Sequence, residues 1–348
     1  MPLNVCRIIA LSSGKGGVGK SSISLNTGLA LSQQGYKVCV FDADTNLANL
    51  NIMFRQTPEF TLEQVINGEK SVTEIMQQKQ GLYVVPGASG ISDFIQFTEQ
   101  QKNSLLQALK TCRDVFDFII IDSAAGISKS VFAFMQMAQH NILVITPEPT
   151  SLTDAFSLLK VFVKQKPLGS FSVIVNQVVH EQQAKNIYKR FSAAVEKYIG
   201  WHVDYLGGVI KDETFSSSIC MQNPLILEFP HSAASSNIRD IAGIISHRKI
   251  NLSASAAIEN FVSSQAVKQP DFGHKKNVLK KTVSSSPLAI EVMQKLKSKS
   301  ITLSQWQKIL EIIDGPTMIT LPTNKAYNAD DEKEDLRSSI KYARMVAE

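Results

Sequence analysis

Cysteine is scarce in this sequence, and no two cysteines stand at the spacing of a metal site. The chain has 348 residues, and no Cys-x-x-Cys occurs. The cysteines are scattered at Cys6, Cys39, Cys112 and Cys220. This pattern argues against zinc and iron–sulfur sites. Cys39 stands in an apolar run, where a reduced thiol behaves as a small hydrophobe, so we expect a reducing, cytoplasmic environment.

Long apolar runs and a strong charge bias are also missing. No stretch approaches the roughly 20 apolar residues that span a bilayer, and the apolar residues 8–11 are too few for a signal peptide. The formal net charge of +5 is mildly basic, which permits contact with nucleic acid or anionic lipid but favours neither. With 44% apolar residues the chain can bury a substantial core, so we expect a soluble folded protein.

Short apolar runs alternate with amphipathic stretches through the first two thirds of the chain. The predicted strands are residues 7–11, 37–41, 82–85, 118–121, 141–145, 172–175 and 204–206. The predicted helices are residues 21–33, 62–65, 98–111, 130–138, 152–166 and 181–199. This alternation predicts an α/β fold with a doubly wound, mostly parallel sheet. Ligands of such sheets bind beyond the carboxyl ends of the strands.

The composition changes near Ile250, which predicts a boundary between one α/β domain, residues 1–250, and two further segments. Residues 251–286 are rich in Ser, Ala, Lys and Gln, which is typical of a basic linker. Residues 287–348 contain short amphipathic stretches and a mixed-charge end, which predict a partly helical C-terminal extension.

A glycine-rich segment follows the first predicted strand and leads into a predicted helix. It satisfies Gly-x-x-x-x-Gly-Lys-Ser, the phosphate-binding loop, in the strand–loop–helix context that this motif requires. Glycines let the backbone close around phosphates, while N–H groups and the positive end of the helix face the anion. The predicted nucleotide-binding residues are Gly14, Lys15, Gly16, Gly17, Val18, Gly19, Lys20, Ser21 and Ser22.

Three of these side chains have distinct predicted roles. Lys20 should pair with the β- and γ-phosphates of ATP, and the hydroxyl of Ser21 should ligate Mg²⁺. Ser22 should reach the α-phosphate. Asp122 ends an apolar strand, as in the Walker B motif, and should support the magnesium shell. The alternative for this aspartate is a cap or turn residue.

The position of Lys15 adds a resemblance to a known family. The form Lys-Gly-Gly-x-Gly-Lys-Ser, beginning at Lys15, resembles the deviant Walker ATPases related to MinD, ParA and the nitrogenase iron protein. The resemblance implies an ATP-dependent homodimer in which Lys15 reaches the partner's phosphates. It also implies that Asp44 orients the attacking water, that Asp42 lies in the magnesium shell, and that Asn176 contacts adenine.

Each of these roles has an alternative. Asp42 and Asp44 are also typical of caps and turns, and Asn176 would also suit the end of a strand. Ile210 stands where the family often has a proline against the base. Under the family interpretation Lys15 and Asp44 are the catalytic residues, and ATP hydrolysis is slow.

Within this family the match is closest to the FlhG group, also called FleN or YlxH, which controls flagellar number and placement. Residues 42–53, 84–91, 122–131 and 147–160 carry this resemblance. It implies a partner such as an FlhF-like GTPase or a flagellar regulator. The chain begins almost directly at its first strand, so we do not expect the N-terminal segment with which this group stimulates that GTPase. Glu148 and Asp154 would serve the dimer or a partner. Alternatively, Asp154 would cap the next helix.

The sequence is also compatible with other functions. Residues 303–313 form an apolar stripe without the cationic excess of lipid-binding helices, so they would contact either a protein core or partner, or the inner face of the cell membrane. A ParA-like partition ATPase, whose ATP dimer binds DNA non-specifically, is the alternative function. An iron-protein-type carrier is disfavoured because the cysteine pair is missing.

Overall fold

The computed structural model describes residues 5–44, 50–53, 55–87 and 97–249. The predicted linker and C-terminal extension lie outside these residues, so the division of the chain into three segments stays a prediction.

The described residues contain an eight-stranded sheet in the order β3-β4-β2-β5-β1-β6-β7-β8. The strands are β1 Arg7–Ser13, β2 Val38–Ala43, β3 Gln77–Lys79, β4 Leu82–Val85, β5 Phe118–Ala125, β6 His140–Ile145, β7 Ser170–Val178 and β8 Asp204–Ile210. All neighbouring strands are parallel except β3 and β4, which are antiparallel. The predicted mostly parallel α/β sheet is therefore confirmed.

Helices cover both faces of the sheet. They are α1 Lys20–Gln33, α2 Leu50–Met53, α3 Leu62–Ile66, α4 Val72–Ile75, α5 Glu99–Val115, α6 Lys129–Met137, α7 Pro149–Val163, α8 Glu181–Ile199, α9 Glu213–Cys220, α10 Leu225–Glu228 and α11 Ala233–His247. Successive residues of β5 alternate between two core clusters: Ile119 packs on one face and Ile120 on the other. Burial on both faces explains why the strand sequences are continuous apolar runs.

The edge strand β3 and the helices α2, α4, α9, α10 and α11 were absent from the sequence predictions. The edge strand β3 has only three residues, all polar, and forms by pairing with β4. The helix α11 packs on α1 and β8 and buries Ile238, Ile241 and Ile245. Among the described residues, no helix is long and apolar enough to cross a membrane.

The central position of β1 determines where the candidate site lies. This strand lies between β5 and β6, and the chain enters α1 directly after the loop that follows β1. The topology therefore brings that loop to the same edge as the carboxyl ends of β2, β5 and β7. Crevices at such positions of doubly wound sheets are the usual ligand sites.

Candidate functional site

The loop between β1 and α1 has the backbone of an anion-binding turn. Gly17 and Gly19 adopt left-handed conformations, with φ of 79° and 88°, which a side chain would disfavour. Gly19 is also the N-cap of α1, and no side chain caps this helix. Because the first N–H groups of a helix have no partners within it, an uncapped first turn leaves donors for a phosphate.

Lys20 and Asp122 form a buried ion pair at the start of α1. The ammonium Nζ of Lys20 lies 2.9 Å from Oδ1 of Asp122, and the two side chains are 6% and 1% exposed. The hydroxyl of Ser24 donates a second hydrogen bond to the same oxygen, at 3.1 Å. The structure thus brings together the phosphate-loop lysine and the Walker B carboxylate, which are 102 residues apart in the sequence.

Asp42 lies beside this pair, because β2 and β5 place Asp42 and Asp122 in register. Burial, and then the charge of Asp122, raise the pKa of the Asp42 carboxyl well above its usual range. Its Oδ1 accepts the backbone N–H of Asp44 at 3.1 Å. Oδ1 of Asp42 therefore makes the contact expected of a turn residue. The other oxygen, Oδ2, does not take part in this turn.

The second carboxylate oxygens of Asp42 and Asp122 fit a cation. Both Oδ2 atoms are buried and have no hydrogen-bond partner among the described residues. Buried charged oxygens are costly unless they are paired or bound to a metal. The described residues contain no group of three His, Cys, Asp or Glu side chains that could hold a metal. Mg²⁺ commonly uses one or two carboxylates with substrate phosphates and hydroxyls, so Ser21, Asp42 and Asp122 suit Mg²⁺ bound together with a nucleotide.

Lys15 lies at the surface of the loop and is paired within its own chain. Its Nζ lies 2.5 Å from Oε2 of Glu148 and 3.0 Å from the hydroxyl of Thr150. The Lys15 side chain is 38% exposed. Glu148 was expected to serve the dimer or a partner, and its contact with Lys15, 133 positions away in the sequence, was not predicted.

The helix α7, which carries these partners, begins earlier than the sequence predicted. Glu148 is its N-cap and Pro149 its first residue, a position that suits proline. Asp154 consequently lies inside α7, and the interpretation of Asp154 as a helix cap was wrong. Burial raises the pKa of Asp154, and the charge of Lys15 opposes this shift. The loop packs closely on this helix, since a Cβ on Gly14 would lie 2.1 Å from the backbone of Asp154.

Asn176 lies at the loop, as predicted, but its amide contacts protein backbone. Its Nδ2 donates to the carbonyl of Val18 at 2.7 Å, and its Oδ1 accepts the N–H of Gln177 at 2.9 Å. Gln177 was not among the predicted site residues. The predicted contact of Asn176 with adenine stays a prediction, as do the roles of Ser22, whose hydroxyl lies 3.7 Å from the sulfur of Met53, and of half-buried Asp44.

Comparison with known proteins finds relatives that align with more than two thirds of this chain. An AAA domain family model matches residues 6–167. The antiactivator FleN of Pseudomonas aeruginosa is 31% identical over 268 residues, which cover 77% of this chain and 95% of FleN. The flagellum site-determining protein YlxH of Helicobacter pylori is 32% identical over 250 residues, 69% of this chain and 81% of YlxH. The septum site-determining protein MinD of Pyrococcus horikoshii, solved with Mg-ADP, superposes with a TM-score of 0.58 at 25% identity, over 70% of this chain and 96% of MinD.

Proposed function

Because this chain belongs to the FleN and YlxH (FlhG) group of the MinD/ParA-type P-loop ATPases, we propose that it is a cytoplasmic, ATP-dependent switch. It binds ATP with Mg²⁺, dimerises in that state and hydrolyses the ATP slowly. Through this cycle it regulates the number or placement of flagella. The names of its relatives, an antiactivator and a flagellum site-determining protein, support a regulatory role.

The observation that carries the nucleotide proposal is the buried group formed by Lys20, Asp42 and Asp122. One lysine faces two carboxylates, so the group is short of positive charge, and two carboxylate oxygens have no partner among the described residues. Binding of Mg-ATP would satisfy both needs. Lys20 would exchange Asp122 for the β- and γ-phosphates, and Ser21, Asp42 and Asp122 would hold the ion. The ion supplies positive charge that neutralises the phosphates.

Asp44 would orient the water that attacks the γ-phosphate. The backbone N–H of Asp44 donates to Asp42. This bond holds Asp44 next to the carboxylate that would bind the ion. Orienting a nucleophile of this kind typically contributes a factor of 10²–10⁴ to the rate. Loss of the γ-phosphate would then release the contacts that depend on its charge.

Lys15 would join two protomers through their nucleotides. In the single chain it is half-exposed and held by Glu148 and Thr150. A surface ion pair of this kind is worth little, commonly below about 1 kcal/mol, so Lys15 can leave it for a more strongly charged phosphate. A cation that contacts the partner's phosphates makes dimerisation depend on the bound nucleotide.

The family assignment also supports a proposal for the partner protein. We propose an FlhF-like GTPase or a flagellar regulator as the partner of the ATP dimer. Residues 303–313 lie outside the described part of the chain, so both alternatives for them, packing on a protein core or partner and contact with the inner face of the membrane, stay open. Non-specific DNA binding, as in ParA, remains the alternative to a flagellar role.

Size-exclusion chromatography of the full chain with ADP and with ATP tests the switch. Asp44→Ala should bind Mg-ATP nearly normally, hydrolyse it about a hundredfold more slowly and accumulate as a dimer. Lys15→Ala should bind ATP but stay monomeric. Hydrolysis by Asp44→Ala at the wild-type rate would remove its role, and a Lys15→Ala dimer of wild-type stability would remove the trans lysine.

The flagellar role needs a separate measurement in cells. Deletion of the gene should change the number or position of flagella, and the wild-type gene should restore them while the Asp44→Ala gene does not. If flagellation is unchanged and the ATP-bound protein binds DNA in a salt-sensitive manner, the partition alternative is correct instead.

A further inference from the structure

The end of β7 holds the phosphate loop from the side through two amide side chains. Nδ2 of Asn176 donates to the carbonyl of Val18 at 2.7 Å, and Nε2 of Gln177 approaches the carbonyl of Gly17 at 3.5 Å. Consecutive residues of one strand therefore contact consecutive carbonyls of one loop. The Asn176 contact is the shorter and more buried of the two, since Asn176 is only 4% exposed.

An irregularity of β7 makes this double contact possible. In a regular strand, successive side chains point to opposite faces. The pairing of β7 with β8 shifts register between Asn176 and Val178, and Gln177 adopts φ of 60°. A left-handed conformation is unfavourable for a residue with a side chain, and such strain persists where the surrounding structure maintains it, often at functional sites. Here it turns both amides toward the loop.

The geometry of the peptide bond gives these contacts a consequence for phosphate binding. A trans peptide unit is planar, so its C=O and the following N–H point in opposite directions. When the amides draw the carbonyls of Gly17 and Val18 toward β7, the N–H groups of Val18 and Gly19 must point away from β7. Fixed N–H donors of a glycine-rich loop are what bind a phosphate.

The packing around Asn176 leaves its amide little freedom. A Cβ on Gly19 would lie 2.4 Å from Nδ2 of Asn176, so the amide fills the space that the missing side chain leaves. Its Oδ1 is occupied by the N–H of Gln177. One of the two N–H donors and one of the two lone pairs of this amide are thus used on protein backbone, which fixes its orientation against the loop.

We propose that Asn176 is a positioning residue for the phosphate loop, supported by Gln177, and that it contributes to affinity for the polyphosphate whether or not the ligand carries a base. The proposal rests on the proposed nucleotide-binding function. It assigns Asn176 a role that applies equally to every ligand with a triphosphate, whatever base that ligand carries.

The test compares ligands with and without a base. Affinities of wild-type and Asn176→Ala full chain are measured for Mg-ATP, Mg-GTP and magnesium tripolyphosphate, by displacement of a fluorescent ADP analogue. We expect roughly tenfold weaker binding of tripolyphosphate, the scale of one buried hydrogen bond, and at least as large a loss for the two nucleotides. Wild-type affinity of Asn176→Ala for tripolyphosphate would overturn the proposal, because any loss for the nucleotides would then come from a base contact alone.

Two further variants distinguish a role in positioning the phosphate loop from a general disturbance of the fold. Asn237→Ala removes an amide that accepts the N–H of Ile210 at the end of the neighbouring strand, and it should leave tripolyphosphate affinity at the wild-type value. Gln177 is exposed, so Gln177→Ala tests the same contact without disturbing the core, and it should weaken all three ligands by a smaller, equal factor. If wild-type protein binds none of the ligands, the proposed function fails. If it binds them, and if Asn176→Ala and Gln177→Ala both bind tripolyphosphate normally, only the positioning role fails.

Discussion

The two ends of the sheet treat buried polar groups in opposite ways. At the amino end, Asp117 accepts the N–H of Lys37 at 2.8 Å, and Arg7 donates to the carbonyls of Ile245 and Ser246 at 3.2 and 2.8 Å. At the carboxyl end, the oxygens Oδ2 of Asp42 and Asp122 are buried without a partner among the described residues. The polar groups at the amino end thus connect elements of the fold. The two carboxylate oxygens at the carboxyl end make no such connection in the described part of the chain.

The presence or absence of a hydrogen-bond partner thus indicates whether a buried polar group serves the fold or the binding of a ligand. A buried polar group with a partner contributes modestly to stability, and one without a partner costs about 1–3 kcal/mol. Proteins retain such costs where a function needs them. Substitutions at the carboxyl end should therefore alter ligand binding, and substitutions at the amino end should alter stability.

The largest expected effect is that of Lys20→Ala on ATP binding. The variant lacks the cation that would pair with the β- and γ-phosphates, and it leaves Asp42 and Asp122 as two uncompensated carboxylates. Isothermal titration calorimetry should detect no ATP binding. The matched control is Lys37→Ala, an exposed lysine at the amino end, which should bind ATP as the wild type does. Unchanged affinity of Lys20→Ala would contradict the proposed phosphate site.

Asp42→Asn should have two smaller effects: it should stabilise the nucleotide-free protein and weaken the binding of Mg-ATP. Asparagine keeps the oxygen that accepts the N–H of Asp44 but removes a buried charge. Since burial and Asp122 raise the pKa of this carboxyl, ionising it at neutral pH costs folding free energy. We expect the nucleotide-free variant to be more stable by about 1–2 kcal/mol at pH 7, and its Mg-ATP affinity to fall about tenfold.

Chemical denaturation at several pH values measures the stability gain. The gain should vanish below about pH 4, where aspartate is protonated in the unfolded chain as well. Asp114→Asn, at a carboxylate that is 65% exposed, should change neither quantity. A less stable Asp42→Asn protein would show that Asp42 stabilises the fold, and the comparison between the two ends would fail there.

Sequence predicted the elements and motifs of this site because both depend on local patterns. Apolar runs located β1 and β5, and glycine spacing located the phosphate loop between β1 and α1. The residues 238, 241, 242 and 245 of α11 also have helical spacing, so this helix was predictable although it was not predicted. In contrast, β3 has no apolar pattern and exists only through its pairing with β4.

Contacts between distant segments could not be predicted in the same way. Lys15 meets Glu148 because α7 packs against the loop at Gly14, and nothing in the spacing of these residues indicates it. The contact of Asn176 with Val18 depends on a bulge and on one left-handed residue. Such features follow from tertiary packing rather than from local propensity.

Arg7→Ala should leave nucleotide affinity unchanged and lower stability. The Arg7 guanidinium joins β1 to the end of α11 and lies 5.5 Å from the ring centre of Phe118. Its loss should reduce the free energy of unfolding by about 1–3 kcal/mol. Arg7→Lys keeps the charge but loses the fork geometry, so it should fall between the two. A loss of ATP affinity in folded Arg7→Ala protein would show that the two ends are coupled.

The smallest expected effect concerns Asn141, the residue that departs from this comparison. It lies near the amino end of β6, is fully buried, and neither amide atom has a hydrogen-bond partner in the described part of the chain. It is far along the strand from the phosphate loop, so a ligand does not account for its cost. Asn141→Leu replaces the amide by an apolar group of similar shape and should raise the free energy of unfolding by about 1 kcal/mol, with ATP affinity unchanged. Denaturation and calorimetry on the same preparation measure both quantities. A variant that unfolds more easily would show that a partner satisfies this amide in solution, and Asn141 would then join the structural polar groups of the amino end.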